Sequence, residues 1–112
     1  MAISAQTDED LARSLSDGLE GAAEELLKRH FDRVFNLAFR VLRDEDAARD
    51  ACQEGFLRAF TRISTFRFEC TFSTWLYRIA LNAILAQEKR EGERDLERFY
   101  ATADETCHID LD

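Results

Sequence analysis

The sequence predicts an all-α fold, a compact bundle of about four helices, on three observations. There is no proline and there are 4 glycines in 112 residues, so helix formers run on with few breakers. Apolar residues make up 46% and include 9 Phe, enough for one modest core in a single domain. Apolar positions recur at i, i+3, i+4 and i+7, the period of a helix with one buried face.

The first helix is short, about Asp8 to Ser16, with Leu11 and Leu15 one turn apart, and it ends near Gly18. The second runs from about Glu20 to Leu42 on a stripe of Leu26, Leu27, Phe31, Val34, Phe35, Ala38, Val41 and Leu42. Asp44, Glu45 and Asp46 open the third, where acids suit the positive helix N-terminus. That helix continues to about Ile63 on the stripe Ala47, Ala48, Ala51, Cys52, Gly55, Phe56, Ala59 and Phe60. Ser64 to Phe72 lacks clear periodicity and reads as a loop. The fourth helix starts near Ser73 as N-cap and ends near Glu91, before Gly92. A further short helix runs through Phe99 or Tyr100.

Composition excludes several classes. No apolar run approaches the ~20 residues that span a bilayer, and no signal peptide is visible. Three unpaired cysteines argue against a disulfide framework and for a reducing cytoplasm. His30 and His108 are the 2 histidines. Cys-x-x-Cys, His-Glu-x-x-His, a Gly-rich phosphate loop and a Ser/His/Asp arrangement are all missing, so neither an enzyme nor a metal or cofactor site is expected. The net charge of −8 opposes nucleic-acid binding at first sight. Its distribution does not: residues 1–30 carry −4, residues 93–112 carry −5, and residues 31–92 carry +1 with nine arginines.

Two stretches stand out. Phe66, Phe68, Phe72, Trp75 and Tyr77 lie within twelve residues, followed at helical spacing by Arg78 and Asn82. Aromatic faces stack on unpaired bases at ~1–3 kcal/mol per base, and Arg or Asn bonds phosphates and base edges. The same rings also suit a core, and Phe72 and Ile79 are assigned there on either reading. The strand-binding reading requires rings between Ser64 and Asn82 to face outward. The second stretch is the helix face Asp50, Gln53, Glu54 and Leu57, an apolar residue among acids and an amide. It fits either a partner helix bearing arginine or an ordinary solvated face. Lys89 and Arg90 sit among alternating acids and suit phosphate contact or a salt-bridged helix end.

The stretches Phe31 to Leu42, Ala48 to Phe60, Phe66-Arg67 and Thr74 to Asn82 resemble region 2 of the sigma-70 family, with spacing most like its extracytoplasmic-function, or group 4, members. The resemblance covers about residues 8–92 and implies a helical domain over 1–92, with 93–112 an acidic tail that begins an interdomain linker. It also implies partners. Asp50, Gln53, Glu54, Leu57 and Arg58 would bind the coiled coil of the largest subunit of core RNA polymerase. The loop from Ser64 to Thr71, with Phe66, Arg67 and Phe68, would hold the flipped base of the promoter −10 element. Trp75, Tyr77, Arg78, Asn82 and Ala83 would line the path of the non-template strand, and Lys89 and Arg90 would approach upstream duplex.

The sequence departs from the family pattern at Phe68-Glu69-Cys70, where Gly-Glu or Gly-Asp is common, and at Leu81, where a base is common. Family members also carry a helix-turn-helix domain for the −35 element, and none is expected within the residues after Gly92, so the chain reads either as an isolated N-terminal fragment or as a variant lacking half its DNA recognition. The alternative is a helical protein-interaction module, a sigma-like adaptor bound by an anti-sigma factor, without direct DNA reading.

Overall fold

A computed structural model of the chain describes residues 3–99. Those residues form α1 (Asp8–Ser16), α2 (Ala22–Leu42), α3 (Glu45–Thr61) and α4 (Phe72–Phe99), with 3-10 turns at Ile3–Ala5 and Ile63–Thr65. Tyr100 and the Cys107-His108 pair lie outside the described residues.

Local chemistry sets each boundary. Thr7 Oγ1 accepts from the Asp10 amide at 3.0 Å, and Asp8, Glu9 and Asp10 fill the first turn of α1. Gly18 and Gly21 both take positive φ, +80° and +91°, and turn the chain into α2, which therefore starts two residues later than the apolar stripe predicts. Arg43, at φ 58°, ends α2 and donates its amide to the Phe39 carbonyl at 2.7 Å. Asp44 Oδ2 caps the Ala47 amide of α3 at 2.8 Å.

α4 differs from expectation at both ends. Its cap is Thr71, whose Oγ1 accepts from the Thr74 amide at 3.2 Å, so Ser73 sits inside the first turn. Its far end does not stop at Gly92 but runs on to Phe99. An isolated glycine costs a helix only ~1 kcal/mol relative to alanine and breaks nothing without a following proline.

The main core joins all four helices: Leu11, Leu26, Val34, Cys52, Phe56, Phe72, Leu76 and Ala80 are buried together. Burying each large side chain contributes about 1.5–3 kcal/mol. A smaller cluster of Ala38, Ala48, Ala51 and Ile84 continues along α2, α3 and α4. The small residues of α3 let α4 lie close: a Cβ on Gly55 would sit 3.0 Å from the Ala80 Cα. No helix of the described residues is long and apolar enough to cross a membrane.

Cys52 is fully buried, and loss of water around it pushes its thiol up from 9.0 to about 11, against the opposing pull of Arg49. The folded state therefore favours the neutral thiol. That contribution, about 2–3 kcal/mol, is whole below pH 9.0 and fades as pH rises toward 11, because the unfolded chain ionises first. Peptide-resolved alkylation at mildly alkaline pH should label half-buried Cys70 in the native state and leave Cys52 unmodified until denaturant is added. Equal labelling of the two thiols in the native chain would contradict this burial.

Candidate nucleic-acid interface

The connection from α3 to α4 is built inward and outward in turn. The 3-10 turn closes with the Phe66 amide on the Ile63 carbonyl at 3.0 Å, which sends Ile63 and Phe66 into the core. Phe66 is 5% exposed and packs on Phe72, Trp75 and Phe68 at centroid distances of 5.9, 5.1 and 4.4 Å. Phe66 is therefore not available to a base, contrary to expectation. A ring in an irregular loop follows whichever way the turn aims it, and here it is aimed at Phe72 and Trp75 of α4.

The loop's outward ring is Phe68. It takes φ +61°, a left-handed conformation that costs a bulky residue about 1–2 kcal/mol, and it stays 38% exposed. Arg13 of α1 holds its guanidinium 4.3 Å from the Phe68 ring centre. Arg67 beside it is exposed.

α1 also fastens the start of α4. Glu9 Oε2 accepts from the Phe72 amide at 2.8 Å, satisfying one of the amides a helix N-terminus leaves free. Asp8 binds the buried His30, Oδ2 to Nε2 at 2.9 Å, and meets Arg29 Nη1 through Oδ1 at 3.0 Å. The carboxylate can only accept, so Nε2 carries the proton and, in the neutral ring, Nδ1 accepts from the Tyr77 hydroxyl at 3.0 Å. The Arg33 guanidinium lies 5.3 Å from the Tyr77 ring centre. Tyr77, expected along the strand, is thus tied into a bracket between α1, α2 and α4. Its half-buried ring and bonded hydroxyl are a poorer platform for a base than the sequence suggests.

The other residues expected at nucleic acid divide by exposure. Trp75 is half-buried against Phe66 and Phe72, at 5.1 and 5.8 Å. Asn82 is half-buried, one turn after exposed Arg78. Lys89 and Arg90 are exposed, and Arg90 Nη2 donates to Gln87 Oε1 at 2.7 Å. One exposed ring and four exposed cations, Arg67, Arg78, Lys89 and Arg90, therefore remain of that set.

On α3, Asp50 and Gln53 are exposed and Leu57 is 60% exposed, an unusual openness for a leucine one turn from Gln53. Glu54 and Arg58 pair with each other at 2.9 Å, so their charges are internally matched. Among the described residues no group of three His, Cys, Asp or Glu is placed to hold a metal ion. Sequence reasoning missed Arg13, Glu9 and the His30 bracket. Their partners are far away in the chain, and no local spacing signals them.

The sigma-70 region 2 family matches residues 26–94. The chain is 35% identical to the ECF RNA polymerase sigma-E factor of Haemophilus influenzae, over 80% of this chain and 49% of that protein. It is 31% identical to the ECF RNA polymerase sigma factor SigM of Mycobacterium tuberculosis, over 94% of this chain and 55% of that protein. It is 29% identical to the RNA polymerase sigma-H factor of Pseudomonas aeruginosa, over 84% of this chain and 51% of that protein. The chain thus spans about half the length of these curated relatives. An NMR structure of an engineered region 2 of sigmaE in complex with GTAAAA matches with a TM-score of 0.74 at 32% identity, over 84% of this chain and 97% of that one.

Proposed function

Because the chain belongs to the sigma-70 family through its region 2, with ECF sigma factors among its relatives, we propose that it is a transcription-initiation module. Its α3 face of Asp50, Gln53 and Leu57 docks on the coiled coil of the largest polymerase subunit. Phe68, Arg67 and the Arg78 side of α4 hold the non-template strand of an opened −10 element. Lys89 lies about 10 Å further along α4 than Asn82 and approaches upstream duplex. Residues 1–92 are the working unit, and the acidic residues 93–112, the first seven of which continue α4, lead into a linker. The role is one of binding in the cytoplasm, without a catalytic step.

Phe68 carries this reading: a strained, exposed ring beside an arginine, at the loop where the family is expected to take a base. Energetics set its limits. Each opened step costs a mean of ~1.4 kcal/mol, and each stacked base returns ~1–3 kcal/mol. One exposed loop ring cannot open several steps, and a chain of net charge −8 gains little from duplex phosphates. Core polymerase must supply the rest.

The test is reconstitution with core polymerase and a fork-junction DNA, read by retention of the unpaired strand. Retention by the complex and not by the free chain on duplex is the expected result. Tight duplex binding by the isolated chain contradicts the energetics. Normal docking on polymerase with no strand retention selects the second reading, an adaptor bound by an anti-sigma regulator. Burial of Phe66 and the engagement of Tyr77 favour that second reading.

A further inference from the structure

Arg13 lies on α1, more than fifty residues before the loop, and no motif points to it. Its side chain is 60% exposed, and its ion pair with Asp10 is long, at 3.8 Å. Its guanidinium covers part of the Phe68 ring at 4.3 Å. Glu9, one turn earlier on the same face, is bonded to the Phe72 amide at 2.8 Å, so α1 is anchored where the loop enters α4. A guanidinium has five N–H donors, and stacking on a ring leaves its edge donors free to bond. Phe68 thereby has one cation over its ring, Arg13, and a second, exposed Arg67, as its neighbour in sequence.

We propose that Arg13 is a phosphate-binding residue of the strand site, brought to the loop by α1. Arg13 lies over the Phe68 ring and Phe66 packs against it at 4.4 Å, so a nucleotide meets the remaining exposed part of the ring and brings its phosphate within reach of the outward N–H groups of Arg13. The nearby carboxylates, Asp10 on α1 and Glu69 in the loop, weaken the local positive potential. The contact therefore depends on the directed N–H bonds of Arg13 more than on a diffuse field. This inference rests on the strand-binding reading above.

The experiment uses the full chain bound to core polymerase and a labelled fork-junction DNA, with strand affinity followed across a salt series. Arg13→Ala should weaken binding about tenfold, the effect of one charge-assisted contact. It should also make the slope of log K against log salt shallower by about 0.7, the loss of one single-strand phosphate neutralisation. Arg13→Lys should keep the slope, since the charge stays. Phe68→Ala should weaken binding with the slope unchanged, since a stack releases no counterions. Unchanged binding by Arg13→Ala overturns the inference, and so does tighter binding, which would make Arg13 a cover over the ring. Weaker binding at an unchanged slope also overturns it, because bracing the loop is then its whole role. If the unsubstituted chain retains no strand while docking normally, the strand-binding reading itself fails, and that arm identifies the cause.

Discussion

A chain with Gln53→Lys and Leu57→Lys together is expected to lose core polymerase, with retention falling by a hundredfold or more, while its helical content stays unchanged. The two positions are one turn apart on α3, and both side chains are exposed, Leu57 at 60%. Nothing in the bundle leans on either, and Lys, Gln and Leu have similar helix propensities, so the fold has no reason to change. The partner surface is different. An exposed leucine ringed by polar residues has the form of an interface anchor, worth about 2 kcal/mol or more when truncated. Lysines there add two charges to be desolvated against a partner that must already accommodate exposed Asp50, whose complement is basic. Together these amount to at least about 3 kcal/mol, or more than a hundredfold. Single changes at Glu54 or Arg58 should do less, because that pair at 2.9 Å is already satisfied within the helix. Association equal to that of the unsubstituted chain, with circular dichroism also unchanged, would remove this face from the interface.

The helices were legible because their causes are local. Periodic apolar stripes marked α1, α2 and α3, and the acids at Asp44 to Asp46 marked where α3 begins. Leu57 was legible as an exposed apolar residue because it falls off its own helix stripe. The loop was not legible to the same depth. Phe66 and Phe68 are two residues apart, alike in chemistry, and only the path of the chain after the 3-10 turn decides that one is core and the other surface. Tyr77 has a partner that the sequence did not reveal, for a related reason. Its position on α4 suits a strand, but His30, forty-seven residues earlier, binds its hydroxyl. Gly92 misled in the other direction, since a punctuation residue was given more weight than its ~1 kcal/mol warrants. In each case a contact distant in sequence, or a small local penalty, decided the outcome.

Gly55 offers the largest effect on the fold itself. Gly55→Leu should leave the chain largely unfolded at ambient temperature, or lower its melting temperature by about 15–25 °C, followed by far-ultraviolet circular dichroism. The reason is the crossing of α3 and α4. A Cβ at position 55 would lie 3.0 Å from Ala80 Cα and 3.2 Å from Ala80 Cβ, and the nearer of these is backbone that cannot rotate away. A leucine there forces α4 off α3 and opens the contact through which Phe56 and Leu76 enter the core. Overpacking of this kind costs about 3 kcal/mol or more, set against a total stability of ~5–15 kcal/mol. In a domain of this size each kilocalorie moves the melting temperature by about 4–8 °C. Gly55→Ala is the graded case. Its methyl needs the helices to part by only tenths of an ångström, and the ~1 kcal/mol gained in helix propensity offsets part of that strain, so the net change should be small. Gly92→Ala is the control within α4. Nothing lies within 4 Å of the added carbon, so it should stabilise the helix by up to ~1 kcal/mol. A chain in which Gly55→Leu melts like Gly92→Ala would mean that α3 and α4 do not meet at this pair of residues.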